Sequence, residues 1–160
     1  MLSSEEIQEY ISANFKNQFQ DSFPLLKNTR IGSPIPVFNQ NKEQKYWLIP
    51  FLLKTKVRGS AILDINGKLV THGVLTPNVQ DEYKLTDKAY FEKVPENLLA
   101  DVRNSFKDFE IVSHFFSFDQ TPQKWGWLII LKNSNSPDLK MVFVNPGGWY
   151  EKNRPNDLEG

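Results

Sequence analysis

The chain has 160 residues, 39% of them hydrophobic and 24% charged, with twelve Phe, five Tyr and four Trp, which excludes a disordered chain and allows a buried core. Nineteen Lys and Arg offset nineteen Asp and Glu, so the charge balance offers no basic excess for general nucleic-acid binding. There is no Cys, which removes disulfides, thiolate metal sites and Cys nucleophiles together.

The first element is signalled at Ser3-Ser4-Glu5-Glu6, where Ser3 and Glu6 have capping-box spacing. The same start lacks the basic and apolar regions of a signal peptide, so a cytoplasmic location is the default expectation, with a trimmed secreted form as the other one. Ile7, Tyr10, Ile11, Phe15 and Phe19 recur at helical spacing and predict a helix from about residue 4 to 20. Residues 33–38 hold two prolines and read as an extended edge segment. Residues 46–53 are apolar on both alternating faces, a strand covered on both sides with Pro50 at a bulge or a free edge. Residues 60–65 and 68–75 flank Asn66-Gly67 and predict a hairpin whose two turn residues both have positive φ.

Residues 76–94 are mixed, with Thr86-Asp87 as a cap for a short helix holding Tyr90 and Phe91. Pro95 suits the first turn of a second main helix with Leu98, Leu99, Val102, Phe106 and Phe109 as its buried stripe. Strands follow at 111–118, 125–131 and 139–144. Asn145-Pro-Gly-Gly148 reads as a turn and the segment from Glu151 to Gly160 as a polar, flexible tail.

A shift of 80 residues aligns Trp47-Leu48-Ile49 with Trp127-Leu128-Ile129 and gives seven identities in the nineteen positions from 31 to 49. Chance at ordinary composition gives about one. The helices prefer a different shift, matching Asn14-Phe15-Lys16 to Ser105-Phe106-Lys107. The expected fold is therefore α+β: two related helix-plus-antiparallel-sheet halves (α-β-β-β twice, about 1–76 and 95–150) packed as one compact domain over residues 1–150.

The run Ser60-Ala-Ile-Leu-Asp-Ile-Asn-Gly-Lys-Leu-Val70 resembles the PepSY and wider cystatin-like group, in which a helix packs on antiparallel strands joined by such a turn. The resemblance covers about residues 5–75 and, more faintly, 96–150. The second half departs from it at Asn145-Pro-Gly-Gly148. It implies a non-catalytic binding or protease-inhibitory module and assigns no site residues.

Residues with chemistry are few and scattered. His72 and His114 lie 42 positions apart without a helical partner, and read as strand histidines rather than metal ligands or bases. Asp64, Asp81, Glu82, Asp108 and Glu110 show no pairing that predicts convergent carboxylates. No cofactor, metal or catalytic residue is expected, and the chain leans away from enzymes. Lys54, Lys56 and Arg58 alternate, so a strand places them on one face as a basic stripe for an acidic partner. Trp125, Trp149 and Tyr150 are the aromatic candidates for a binding surface, while Trp127 and Trp47 are assigned to the core. The expected function is a non-enzymatic module that binds a protein or peptide through a sheet edge and aromatic surface, with these six residues as the candidate contacts. The alternative is a small-ligand pocket, or a minor enzyme, between sheet and helices.

Overall fold

The computed structural model of the chain describes residues 1–21, 23–74, 86–145 and 148–152. Helix α1 (Ser4–Asn14) begins at the expected capping box: Glu6 N–H donates to Ser3 Oγ at 3.2 Å, and Ser3 N–H donates to Glu6 Oε1 at 3.3 Å. The helix then widens into a π-helical turn (Phe15–Gln20), with Asp21 N–H donating to Lys16 O at 2.8 Å. Ile7, Ile11, Phe15 and Phe19 are spaced by four, which drifts around a 3.6-residue helix. The wider turn brings Phe19 back over the same face, and Ile7, Ile11 and Phe19 are all fully buried. Tyr10, expected on that face, stays exposed.

Strands β1 (Arg30–Ile31), β2 (Ile35–Phe38), β3 (Gln44–Leu53), β4 (Lys56–Asp64), β5 (Leu69–Val74) and β6 (Thr86–Asp87) come next. A short 3-10 turn (Lys88–Phe91), helix α2 (Glu96–Ser105) and strands β7 (Phe109–Asp119), β8 (Thr121–Asn133), β9 (Leu139–Asn145) and β10 (Gly148–Glu151) complete the order. The chain is α+β, with pairing that is mixed and mostly antiparallel. It divides into two compact units, Met1–Pro36 with Lys45–Ala89, and Val37–Gln44 with the chain from Tyr90 onward.

In the first unit, β3 pairs antiparallel with β1 and β4, and β4 pairs with β5 and β6. Alternate residues of β3 (Trp47, Ile49, Phe51) and of β4 (Ala61, Leu63) face the helical residues Ile7, Ile11, Phe19 and Leu26 in one core. Phe15 and Phe19 lie 5.1 and 5.3 Å from the Phe51 ring. Pro50 sits inside β3 beside a bulge at Phe51/Leu52, and its carbonyl accepts from Gly32 N–H at 2.8 Å. The β4–β5 hairpin is where the sequence places it, but its turn differs from the expected pair of positive-φ residues. Gly67 N–H donates to Asp64 O at 3.0 Å and Asp64 N–H to Lys68 O at 2.8 Å, and of the two turn residues Gly67 alone is left-handed. This is a type I turn closed by a left-handed glycine. Asp64 Oδ1 accepts from Asn66 and Lys68 N–H and holds it.

In the second unit, β7, β8, β9 and β10 form an antiparallel meander. β2 pairs in parallel with β7, Phe38 opposite Ser117, where purely antiparallel pairing was expected. Ser117 Oγ donates to Phe38 O at 2.5 Å. One face of the meander carries Phe116, Phe118, Trp125, Trp127, Ile129, Leu131, Val142 and Val144, all buried. Tyr90 and Phe91 of the 3-10 turn pack there, and Phe106, just beyond α2, meets Trp149 at 5.9 Å. Phe109, expected on the helix stripe, instead opens β7.

The expected repeat of α-β-β-β is not evident in this element order. The first unit carries a π-helical turn and the two-residue strands β1 and β6, whereas the second is built on one long meander. Trp47 and Trp127 are both buried on long strands, but their surroundings differ. Trp127 Nε1–H donates to Tyr90 O at 2.8 Å, and Trp47 Nε1 has no partner among the described residues.

Candidate functional site

The face of the second unit's meander opposite Trp125 and Trp127 carries Phe115, Leu128, Phe143 and Tyr150, by strand alternation and register. β7 and β10 are separated by β8 and β9, three inter-strand steps of about 4.8 Å each. Even so, Tyr150 Oη donates to Asp119 Oδ2, and Lys152 Nζ donates to Asp119 Oδ1 at 3.0 Å. The meander must therefore be strongly coiled, with this face concave. Gly126 permits the coil. A Cβ there would lie 2.8 Å from Phe143 Cζ and closer still to Val144 O. Phe143 thus lies over the β8 backbone and contacts the Tyr150 ring at 5.7 Å.

The cluster favours an ionised Asp119 beside a protonated Tyr150. Burial pushes the Asp119 carboxyl up, but hydrogen bonds from Tyr150 and Lys152 and the charges of Lys152 and Lys124 outweigh it, so its pKa lies below the usual carboxylate value. Burial, then the hydrogen bond to Asp119 and its charge, push the Tyr150 phenol above its ordinary value. The Lys152 side chain is 2% exposed and the Asp119 side chain 14%.

Lys152 also lines an open groove of about 620 Å³ on the concave side. Half-buried Ile130 and Met141 form its apolar floor, with exposed Leu139 at its margin and Gln40, Asn41, Lys42 and Ser113 along its rim. Two local features aim these residues. A bulge at Val112 separates the pairs Ile111–Leu131 and Ser113–Ile130, and so turns Ser113 to the groove side. Asn39, 1% exposed, ties the 39–43 loop: its Oδ1 accepts from Asn41 and Glu43 N–H, each at 3.0 Å, and its Nδ2 donates to Glu43 Oε2 at 3.0 Å. Lys42 is held left-handed at φ 62°, with its ammonium 5.8 Å from the centre of the Phe115 ring. Gln40 Oε1 is buried and has no hydrogen-bond partner among the described residues. Lys140 and Glu151 reach the groove from strand positions whose side chains point to the other face. They pair with each other at 2.9 Å, and Lys140 rests on Phe106 and Phe109.

The residues singled out from sequence are not brought together. Trp125 is buried against Tyr90, Phe91 and Phe116 and offers no contact surface. Trp149 and Tyr150 are neighbours in β10 and so point to opposite faces, Trp149 toward Phe106 and Tyr150, 39% exposed, toward Asp119. Lys54, Lys56 and Arg58 form no continuous stripe. Lys54 is exposed at a left-handed turn position, while Arg58 falls at the β4 bulge, is 3% exposed, and donates from Nε to Leu25 O at 2.9 Å. All three belong to the first unit, and the groove to the second.

His72 packs edge-on against Phe19 and Phe23, each at 5.2 Å, and His114 lies 6.2 Å from Trp127. Among the described residues no three His, Asp or Glu side chains gather as a metal site, and no helix is long and apolar enough to cross a membrane. Asp81 and Glu82 lie outside the described residues, as do residues 153–160 of the expected tail. Sequence reasoning missed Asp119, Gln40 and Lys42. The Gln40–Gln120 identity was visible as part of the repeat, but nothing in it marked a rim. No family model, curated protein or solved structure matches the chain.

Proposed function

We propose that the chain is a non-enzymatic peptide-binding module, and that its binding surface is the concave groove of the second unit. The observation that carries this reading is the groove itself, an apolar floor with a fixed polar rim, on a sheet that ends in an unpaired edge. β9 is the one ladder partner of β10 among the described residues, so the outer edge of β10 is open to a further strand. Peptides bind such surfaces by main-chain hydrogen bonds to an edge with side chains set into adjoining pockets. Tyr150, exposed on β10, adds a rigid aromatic contact.

The cluster beside the groove supports a binding role over acid–base chemistry. A general acid or base works best with its pKa near the operating pH. Asp119 is held below the usual carboxylate value and Tyr150 above the usual phenol value, which moves both away from neutrality.

The test is selection of peptides from a displayed random library by the full chain, followed by mapping the best one through backbone amide shifts. Shifts at residues 40–42, 113, 139–141 and 148–152 are expected. Failure to select any peptide above a blank surface sinks the proposal. The groove volume of about 620 Å³ also falls within the range of small-molecule sites, about 300–1,000 Å³, which favours a small-ligand pocket as a second reading. A thermal-shift screen over metabolites distinguishes it, because a ligand of the native state raises the unfolding midpoint.

A further inference from the structure

We propose that Asn66 is a site of spontaneous deamidation, and that the β4–β5 turn, with Leu2 packed over it, is the lock that holds the reaction off in the folded chain. The proposal concerns the first unit and does not depend on the groove.

Asn66-Gly67 is the one Asn-Gly pair in the sequence. Asn is among the thermolabile residues. Its deamidation begins when the backbone nitrogen of the next residue attacks the side-chain amide carbon, and glycine hinders that attack least because it has no Cβ. Here a bond forms between Gly67 N and Asn66 Cγ. The Asn66 Cγ–Nδ2 bond breaks, and the proton given up by Gly67 N leaves with the departing nitrogen as ammonia. Water then opens the five-membered imide. Attack at Cγ restores the ordinary backbone with a carboxylate at position 66. Attack at the main-chain carbonyl carbon leaves the chain running through Cγ, one methylene longer. The net change is one water consumed and one ammonia released.

Asn66 is exposed, so water reaches it. What the fold withholds is the backbone nitrogen. At the third residue of a type I turn ψ is ~0°, which sets the Gly67 nitrogen beside the backbone nitrogen of Asn66 rather than beside its Cβ. Ring closure needs the Asn66–Gly67 peptide to rotate. That rotation breaks the bond that closes the turn, Gly67 N–H to Asp64 O at 3.0 Å. Asp64 Oδ1 opposes it as well, by holding Asn66 N–H and Lys68 N–H, each at 2.9 Å. Leu2 closes the turn from the N-terminal side. Its N–H donates to Ile65 O at 2.9 Å, and its Cδ1 lies 2.6 Å from where a Gly67 Cβ would be. The reaction therefore waits on local opening of the hairpin. After the second route, the added methylene keeps the turn from reclosing in its register, because loop length fixes the register of a hairpin.

Incubating the full chain in mildly alkaline buffer, with and without guanidinium chloride, tests this by peptide mass mapping. In the denaturant, position 66 should convert faster than Asn133-Ser134 or Asn135-Ser136, where the serine Cβ hinders the same attack. In the folded chain, position 66 should convert about tenfold or more slowly than in the denaturant. Asp64→Ala removes the Oδ1 acceptor and should raise the folded rate several-fold, with circular dichroism showing that the variant is folded in the same buffer. Leu2→Ala frees the turn from the other side, should act in the same direction, and replaces Asp64→Ala if that variant does not fold. Equal rates in the folded and unfolded chain overturn the lock, and so does a folded rate that neither substitution changes. Slower conversion at position 66 than at the Asn-Ser pairs in the denaturant overturns the site itself.

Discussion

Trp47 and Trp127 look interchangeable in the sequence, each heading a Trp-Leu-Ile run, yet the structure gives them different energetics. Trp127 supplies the donor that satisfies the buried Tyr90 carbonyl, whereas the Trp47 donor has no partner among the described residues. Replacing either by Phe removes similar apolar area, but only Trp127→Phe orphans an acceptor, which costs about 1–3 kcal/mol. Trp127→Phe should therefore destabilise the chain by about that much more than Trp47→Phe in urea unfolding, and equal losses would contradict this reading. Asp119 offers a second test at the same scale. Its folded pKa is depressed, so its contribution is present above about pH 4, the unfolded value, and is lost as pH falls through the folded one. Asp119→Ala should cost about 2 kcal/mol at neutral pH, below the usual range for a fully buried pair because the Asp119 side chain keeps 14% exposure. Across acid unfolding, the urea midpoint of Asp119→Asn should fall less below pH about 4 than that of the natural chain.

At the scale of elements, the parts that repeat a local rule were legible and the parts that break one were not. The capping box at Ser3, the hairpin around Asn66-Gly67 and the long strand around Trp127 each follow from a short pattern and stand where that pattern puts them. The π-helical turn could not be read, because its apolar residues keep a spacing of four that also fits an α-helix. The bulge at Val112 could not be read either, since one extra residue reverses the faces of Ile111 and Ser113 without any change in composition. Arg58 was placed on a surface stripe by simple alternation, and the bulge beside it turned it inward. Gly126 shows the same limit. Nothing around it in sequence marks a bend, but the Phe143 ring and the Val144 carbonyl occupy the place of its missing side chain. Gly126→Ala should cost about 1–3 kcal/mol by overpacking. It should also weaken peptide binding, because the coil of the meander shapes the groove. A variant with natural stability would contradict the coiling role.

For the whole molecule, composition and periodicity sufficed for the α+β class and the dominance of antiparallel pairing, while the site depended on tertiary closure. The groove draws Gln40 and Lys42 from the 37–44 segment, Ser113 from β7, Met141 from β9 and Lys152 from the end of β10. No window of sequence contains them, and five of the six residues chosen from sequence are bulky or charged groups of other surfaces or of the core. The division of the chain also separates roles: the first unit packs half-buried His72 against Phe19 and Phe23 and buries Arg58, and the second presents the open rim. The central claim is that this rim binds peptide. Backbone amide shifts of the full chain, titrated with a library-selected peptide, test it most directly. Saturable shifts centred on residues 40–42, 113, 139–141 and 148–152 are the expected result, and saturable shifts confined to the first unit would contradict it.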